Sequence, residues 1–489
     1  MARTSGKPSP HYITPYTNPS AEIQRSLRFD RASSAHLTYT PASASGDRTK
    51  ITISAWVKKC GEEQEQNIFH AGTTSNDRAT LRYYHSGGLD CLSFFARVSG
   101  SFILQVDATA KSRDTTGWYH VVARCDTTNG TANIYVNGVD QTLTTSTKPS
   151  GSQSLTWFNN VEHQIGERGY DGSGTYFNGY MAEINVIQGQ ALDASYFGFT
   201  DSQTGIWLPK RYEGTYGDGF YLDFSDNSST AALGIDRSPN GNDFTLNNFA
   251  TTDSVTDTPT NNFCILNIND NNLSESSPHF VYSEGNLKVA WSFTGTNFDR
   301  VFGTLFIEPH DTNKYYWEAT GTQNNEQMVW GVIATDSAMY RQDNRNTGVS
   351  KEANVALLRW ASYTSAPYLL NIDNSSATEG DALSTSNGNA ANNDIFSFVY
   401  DAGAGKFYVF FKGVELSGQN YSAGTSLFDT VDTTKTYAVM TYQGDGGGST
   451  KSGNLTMNFG QDSSFAGTKT AQGNKDAKGI GDFYYSVPS

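Results

Sequence analysis

The sequence predicts an all-β protein made of two antiparallel sandwiches in series. Three observations carry that prediction. Residues 117–141, GWYHVVARCDTTNGTANIYVNGVDQ, hold two short strands and two reversal signals in one span. Aromatics are 13% of 489 residues and glycines number 47, without long runs of Leu, Ala, Glu and Lys, a balance that favours short strands joined by Gly, Asn, Asp and Ser turns. A similar strand, glycine turn and strand recur at Phe407–Val414 in the second half of the chain.

Within the first of these stretches, Trp118–Cys125 is rich in the aromatic and β-branched residues that suit a pleated, half-buried surface. Asp126–Gly130 reverses the chain, because Asn and Gly tolerate positive φ. Ala132–Val136 is the second strand, and Asn137-Gly138 is a strong hairpin signal. Upstream, SLRFD (26–30) and HLTYT (36–40) read as short strands. Residues 51–59 alternate Ile51, Ile53, Ala55 and Val57 against Thr52, Ser54, Trp56 and Lys58, a period of two with one aromatic on the polar side. Residues 67–72, 81–85 and 92–98 continue the strands at regular spacing.

A chain of 489 residues exceeds a single core and divides into two or three domains. Residues 1–25 carry Pro8, Pro10, Pro15 and Pro19, which forbid helix and leave an extended arm suited to lying on a neighbouring subunit. The first sandwich is expected over 26–205, a connecting segment over 206–261, a second sandwich over 262–465 and a tail over 466–489. Residues 374–394, rich in Gly, Asn and Ser, read as a surface loop.

Charge and composition exclude several classes of function. Charged residues are 17%, the net charge is −15, and no stripe of Lys and Arg appears, which argues against nucleic acid as a partner. No run reaches the ~18–20 apolar residues of a membrane helix, so no membrane insertion is expected. The first twenty residues lack the apolar core of a secretory signal. Cys60, Cys91, Cys125 and Cys264 show no C-x-x-C spacing and are expected as buried thiols, with a Cys60–Cys91 or Cys91–Cys125 pair left open. The eight histidines form no i, i+4 pair, so zinc is not indicated.

Several motifs resemble known families. W-Y-H-V-V…D…G-T…I-Y-V-N-G, with S-x-x-F-D and I-T-I-S-A-W-V before it and I-G…F-x-G-x-M-x-E-I-x-V after it, resembles concanavalin A-like jelly rolls of the laminin G and pentraxin-type lectin branch. K-Y-Y-W-E (314–318), G-V-I-A (331–334), the 394–414 strand pair and N-F-G (458–460) resemble the SPRY (B30.2) domain. Residues 217–267 resemble a connecting segment of bacteriophage tail-fibre and other virion proteins. The resemblances imply a structural protein at a virion exterior, assembled in the host cytoplasm. It would form a homo-oligomer, with a trimer favoured, contact other virion proteins through residues 1–25, and bind host-surface carbohydrate or another receptor. A glycan-degrading enzyme and a SPRY-type protein-interaction module stay open as alternatives.

No catalytic residues are assigned. A retaining glycosidase requires two carboxylates about 5–5.5 Å apart, and no E-x-D-x-x-E run is present: Glu183 has Asn185 at i+2, and Glu62-Glu63-Gln64-Glu65 reads as a solvated loop. Tyr and Arg beside Asp and Asn suit carbohydrate, through ring stacking and hydroxyl hydrogen bonds. The binding candidates are therefore Arg168, Tyr170, Asp171 and Tyr176, then Tyr212 and Tyr216, then Tyr340, Arg341, Asp343 and Asn344. No organic cofactor is expected; the oxygen-rich loop holding Asp236, Asn240, Asn242 and Asp243 offers the one candidate Ca²⁺ site.

Overall fold

The computed structural model describes residues 22–61, 65–86, 89–169, 174–270, 280–294, 299–323, 327–337, 340, 354–361, 368–372, 382–383, 390–428, 430–444 and 450–489. The expected N-terminal arm lies outside them apart from residues 22–25. Strands and short 3₁₀ turns dominate, and the chain divides between Asn262 and Phe263 into two compact units.

Strands of the first unit run in order as β1 (Ser26–Phe29), β2 (His36–Tyr39), β3 (Lys50–Lys59), β4 (Gln66–Gly72), β5 (Arg78–Ser86), β6 (Leu89–Val98), β7 (Ser101–Lys111), β8 (Tyr119–Asp126) and β9 (Thr131–Val136). They continue as β10 (Val139–Asp140), β11 (Leu143–Thr147), β12 (His163–Ile165), β13 (Gly179–Gln188), β14 (Gly198–Thr200), β15 (Trp207–Pro209), β16 (Phe220–Leu222), β17 (Thr245–Asn247) and β18 (Ser254–Val255). One sheet is ordered β10-β9-β8-β3-β13-β1-β18, with β16 also on β13; the other is β11-β7-β6-β5-β4-β12-β2-β17. Leu27, Ile51, Ile53, Val121 and Met181 from the first sheet share one buried core with Leu81, Phe94 and Val106 from the second. The Asn137-Gly138 hairpin forms as expected, with φ of +47° and +80°.

The segment expected to connect the sandwiches, 206–261, instead completes the first one. It supplies β16 and β18 to one sheet and β17 to the other. It also covers the outer face of β3, β8 and β13, where Val122, Ile187, Phe197, Tyr212, Tyr216 and Tyr221 form a second apolar layer. Hence β3 is buried on both faces, although its alternation suggested a solvated side. The polar side chains there are partnered inside the protein: Thr52 Oγ1 donates to Gln190 O (2.9 Å), Ser54 Oγ meets His120 Nε2 (2.8 Å), and Lys58 Nζ meets Asp257 (2.7 Å). A buried polar group without such partners costs free energy. All four cysteines are buried and none forms a disulfide.

The second unit contains β19 (Phe280–Ser283), β20 (Lys288–Thr294), β21 (Asp299–Ile307), β22 (Lys314–Gln323), β23 (Gln327–Ala334), β24 (Val355–Ala361) and β25 (Tyr368–Ile372). After β26 (Ala382–Leu383), β27 (Ile395–Asp401), β28 (Lys406–Phe411), β29 (Val414–Glu415), β30 (Tyr437–Gly444) and β31 (Thr450–Asn458) complete it. Its sheets are β19-β20-β31-β22-β27-β28-β29 and β21-β30-β23-β24-β25-β26. Trp317, Trp330, Trp360, Phe396 and Phe398 fill the core, with the Trp330 and Trp360 rings stacked at 6.2 Å. Short β26 falls inside the stretch expected as a loop, where Leu383 pairs with Leu369. The 466–489 tail is tied to this sandwich: Glu318, fully buried, accepts from the backbone N–H groups of Tyr484 and Tyr485, both at 2.8 Å.

Candidate carbohydrate-binding face

The register of β4–β7 sorts side chains onto two faces. Phe69, Leu81, Phe94 and Val106 lie opposite one another and point into the core. The intervening positions face away from it and form two rows. One row runs His70, Thr80, Phe95, Gln105; the other runs Asn67, Arg82, Ser93, Asp107. Arg78 and Arg97, themselves paired across β5 and β6, flank the first row. This outer face is polar and rich in arginine on a chain whose net charge is −15.

Geometry locks the arginines in place. Glu65 joins two of them, its Oε2 lying 2.7 Å from Arg82 Nη1 and its Oε1 2.7 Å from Arg168 Nη1. The Arg82 guanidinium also lies over the Tyr84 ring (4.3 Å) and the Phe95 ring (4.7 Å), while that of Arg78 covers Phe95 at 5.2 Å. Arg78 is held down to about 10, chiefly by burial and then by repulsion from Arg168, Arg82 and Arg97. His70 accepts or donates to Thr80 Oγ1 (2.9 Å) and is pushed down to about 3 by burial, so it is neutral at physiological pH. Among the described residues, the buried Arg82 Nε, Asn67 Oδ1, Ser93 Oγ and Asp107 Oδ1 meet no hydrogen-bond partner. The face is largely closed to solvent: Asn67, Thr80, Ser93 and Phe95 are exposed by 1% or less, and Arg82 keeps 12% of its side-chain surface exposed.

The loop between β12 and β13 borders this face. Phe177 N donates to Gly166 O (2.8 Å) to close it, and Gly169 N donates to Gln164 Oε1 (2.8 Å). Asn67 Nδ2 reaches across to Thr175 O (2.9 Å). Of the four binding candidates expected here, Arg168 is brought onto the face through Glu65, and Tyr176 packs near His36, with ring centroids 5.7 Å apart. His36 Nε2 in turn lies 3.0 Å from Glu167 Oε2. Tyr170 and Asp171 lie outside the described residues. Glu65, read from the sequence as a solvated acid, is thus a structural clamp between two guanidiniums.

The remaining candidates are placed differently. Tyr212 and Tyr216 are 7% and 9% exposed and cannot offer ring faces to a sugar. Tyr216 OH donates to Asn185 Oδ1 (2.8 Å), and Tyr212 stacks on Phe197. Their segment was expected to be an exposed loop; it covers a sheet instead. Tyr340 packs on Phe302 at 4.5 Å, and Arg341, Asp343 and Asn344 lie outside the described residues. The oxygen-rich loop is closed by its own hydrogen bonds. Asp236 accepts from the backbone N–H groups of Tyr221, Ser238 and Asn242 and from Ser238 Oγ–H, all at 2.8 Å. Asp243 Oδ1 accepts from Asp236 N, Asn242 Oδ1 accepts from Tyr39 OH, and the Asn240 amide donates to Gly217 and Gly219 carbonyls. With the Asp236 carboxylate already accepting four bonds, Asp236, Asn240, Asn242 and Asp243 fit a turn network and not a Ca²⁺ cage.

One further group stands out on the opposite sheet. In β13, Glu183 and Ile184 together oppose the single Ala55 of β3, a β-bulge that keeps Ile184 in the core and turns Glu183 to the outer face. Glu183 adopts φ +50°, its carboxyl accepts from Tyr221 OH at 2.8 and 2.9 Å, and burial raises it to about 7.

Residues 31–195 match a family model described as the concanavalin A-like lectin/glucanases superfamily. That match covers the strands of the arginine-rich face. Among solved structures, a Bacteroides ovatus protein described as carbohydrate binding is 20% identical, with TM-score 0.32 over 46% of this chain and 58% of that one. Domains LG4-5 of the mouse laminin alpha1 chain are 9% identical, with TM-score 0.28 over 86% and 84%. The SPRY domain of human HERC1 is 13% identical, with TM-score 0.25 over 36% and 91%. No curated protein matches the chain.

Proposed function

We propose that the chain is a non-enzymatic carbohydrate-binding protein, and that glycan binds at the part of the outer face of β4–β7 where Arg82 and Arg168 keep exposed surface. The observation that carries this reading is the convergence of Asn67, Arg82, Ser93 and Asp107, one residue from each strand, with hydrogen-bonding atoms unmet among the described residues. Neighbouring proteins described as carbohydrate binding share the fold class, which is consistent with it. A glycan array probed with the purified chain is the test. Binding that is lost in Asn67→Ala and Asp107→Ala, with unchanged thermal melts, supports the reading; absence of binding to every glycan, or binding indifferent to both changes, overturns it.

We further propose that the protein belongs to a bacteriophage particle and binds host-surface glycan as a homo-oligomer. This rests on the resemblance of residues 217–267 to virion proteins. Antibody labelling of intact particles tests the placement, and sedimentation of the chain as a monomer counts against the oligomer.

A second reading, of a glycan-cleaving enzyme, is favoured by one observation. Glu183 has a left-handed backbone and a carboxyl raised to about 7, and Asp223 adds to that rise. Such groups cluster at catalytic sites. New reducing ends released from polysaccharide by the wild type but not by Glu183→Gln would displace the binding-only reading.

A further inference from the structure

We propose that Lys58 and Asn262 join in an intramolecular isopeptide bond, with Asp257 as the group that carries the protons. Such a bond is independent of what the β4–β7 face binds.

Three side chains of the first unit meet at one nitrogen. Lys58 Nζ lies 2.7 Å from Asp257 Oδ2 and donates to Asn262 Oδ1 at 2.8 Å. Asp257 and Asn262 flank a tight turn in which Thr258 N and Asn261 N each donate to the other residue's carbonyl, both at 3.0 Å. That pairing sets the acid and the carboxamide opposite one another, and β3 brings the amine to both. The far sides of the two groups are also held. Trp118 Nε1 donates to Asp257 Oδ1 at 2.9 Å, and Asn262 Nδ2 donates to Thr116 O at 3.2 Å. An ion pair alone needs no carboxamide; here one shares the amine with the carboxylate.

Burial suits this arrangement to acyl transfer. The Lys58 and Asp257 side chains have no exposed surface, and the Tyr180 ring lies 5.7 Å from Nζ with Trp118 beside it at 6.3 Å. A desolvated amine is a nucleophile, and water that would compete with it is kept out. Asp257 takes a proton from the Lys58 ammonium and leaves a neutral amine. Nζ then attacks Asn262 Cγ from hydrogen-bond range. The Nζ–Cγ bond forms and the Cγ–Nδ2 bond breaks. Two protons from the original ammonium, relayed by Asp257, end on the departing nitrogen, which leaves as ammonium and restores the carboxylate. No electrons change hands, so no oxidant or reductant is required. The link joins residues 204 positions apart, closing a long loop in the unfolded chain and fastening the covering segment to β3.

Mass spectrometry of the full chain tests this directly. Expected is an intact mass one ammonia below that of the sequence, and a branched tryptic peptide joining residues 51–59 to residues 238–288, uncut after Lys58. Lys58→Arg and Asn262→Ala should each have their full sequence mass. The wild-type measurement needs no variant to fold, and Asn262→Ala, whose side chain is only partly buried, supports it if Lys58→Arg fails. Full sequence mass in the wild type, with cleavage after Lys58, overturns the bond. Ammonia loss that persists in Lys58→Arg, the result of a succinimide at Asn262, overturns it equally. A link from Lys58 to Asp257, with loss of water instead, overturns the roles assigned to the two side chains.

Discussion

Lys58 Nζ lies 2.7 Å from Asp257 Oδ2, and both side chains are wholly buried. The pair joins strand β3 to the far end of the segment that covers its outer face. Trp118 Nε1 donates to the other Asp257 oxygen (2.9 Å), Lys58 also donates to Asn262 Oδ1 (2.8 Å), and Ser26 Oγ donates to Asp257 O (2.6 Å). Every charge in this knot has a partner, which is what makes a buried ion pair tolerable.

Removing one partner leaves a buried, uncompensated charge. Asp257→Ala is expected to cost about 3–5 kcal/mol, whereas the double change Lys58→Met with Asp257→Leu costs far less. Urea titration of both variants checks this; equal losses would refute it.

Glu183 makes the first sandwich weaker at neutral pH. Its carboxyl titrates near 4.5 when unfolded and at about 7 when folded. Between those values the folded state keeps a proton that the unfolded state has released, so this group's stabilisation is complete below pH 4.5 and is lost as pH rises through 7. Glu183→Gln should flatten that part of the profile and raise stability at pH 8, seen as a higher urea midpoint.

Three buried histidines act in the opposite sense. His70 and His120 are lowered to about 3 and His163 to about 4, from 6.5, chiefly by burial. Their folded pKa values are depressed bases, so stability falls as pH drops from 6.5 toward 3. Proton uptake on unfolding at pH 5, measured calorimetrically in several buffers, should exceed that at pH 8.

Trp207 Nε1 donates to His120 Nδ1 (3.0 Å), and the ring's other nitrogen meets Ser54 Oγ (2.8 Å). Trp207→Phe keeps much of the ring but strands a buried acceptor, at an expected cost of about 1–3 kcal/mol. Histidine NMR should show the Nε2–H tautomer in the wild type and its loss of uniqueness in the variant.

Glu318 anchors the tail. It accepts from Tyr484 N, Tyr485 N, Asn458 Nδ2 and Tyr316 OH. Glu318→Ala should release residues 484–489 to carboxypeptidase while β22 stays folded; an unchanged digestion rate would refute the anchor.

Much of the fold was legible because strands are specified locally. The alternation in β3, the Asn137-Gly138 turn and the Phe407–Val414 hairpin each contain their own instruction. The arginine face was half legible. Arg78, Thr80, Arg82 and Tyr84 alternate with Ala79, Leu81 and Tyr83 in plain view. That pattern announces an outer face but not which residues of β4, β6 and β7 stand beside it.

The sequence by itself determined an all-β chain, its antiparallel hairpins and the apolar parity of each strand, because turn chemistry and period-two patterning act between near neighbours. Tertiary structure alone decided that Tyr212 and Tyr216 are buried, that Glu65 clamps Arg82 and Arg168, and that Asp257 meets Lys58 across 199 positions. Those relationships depend on register between distant strands and on what covers each sheet, which no local pattern encodes.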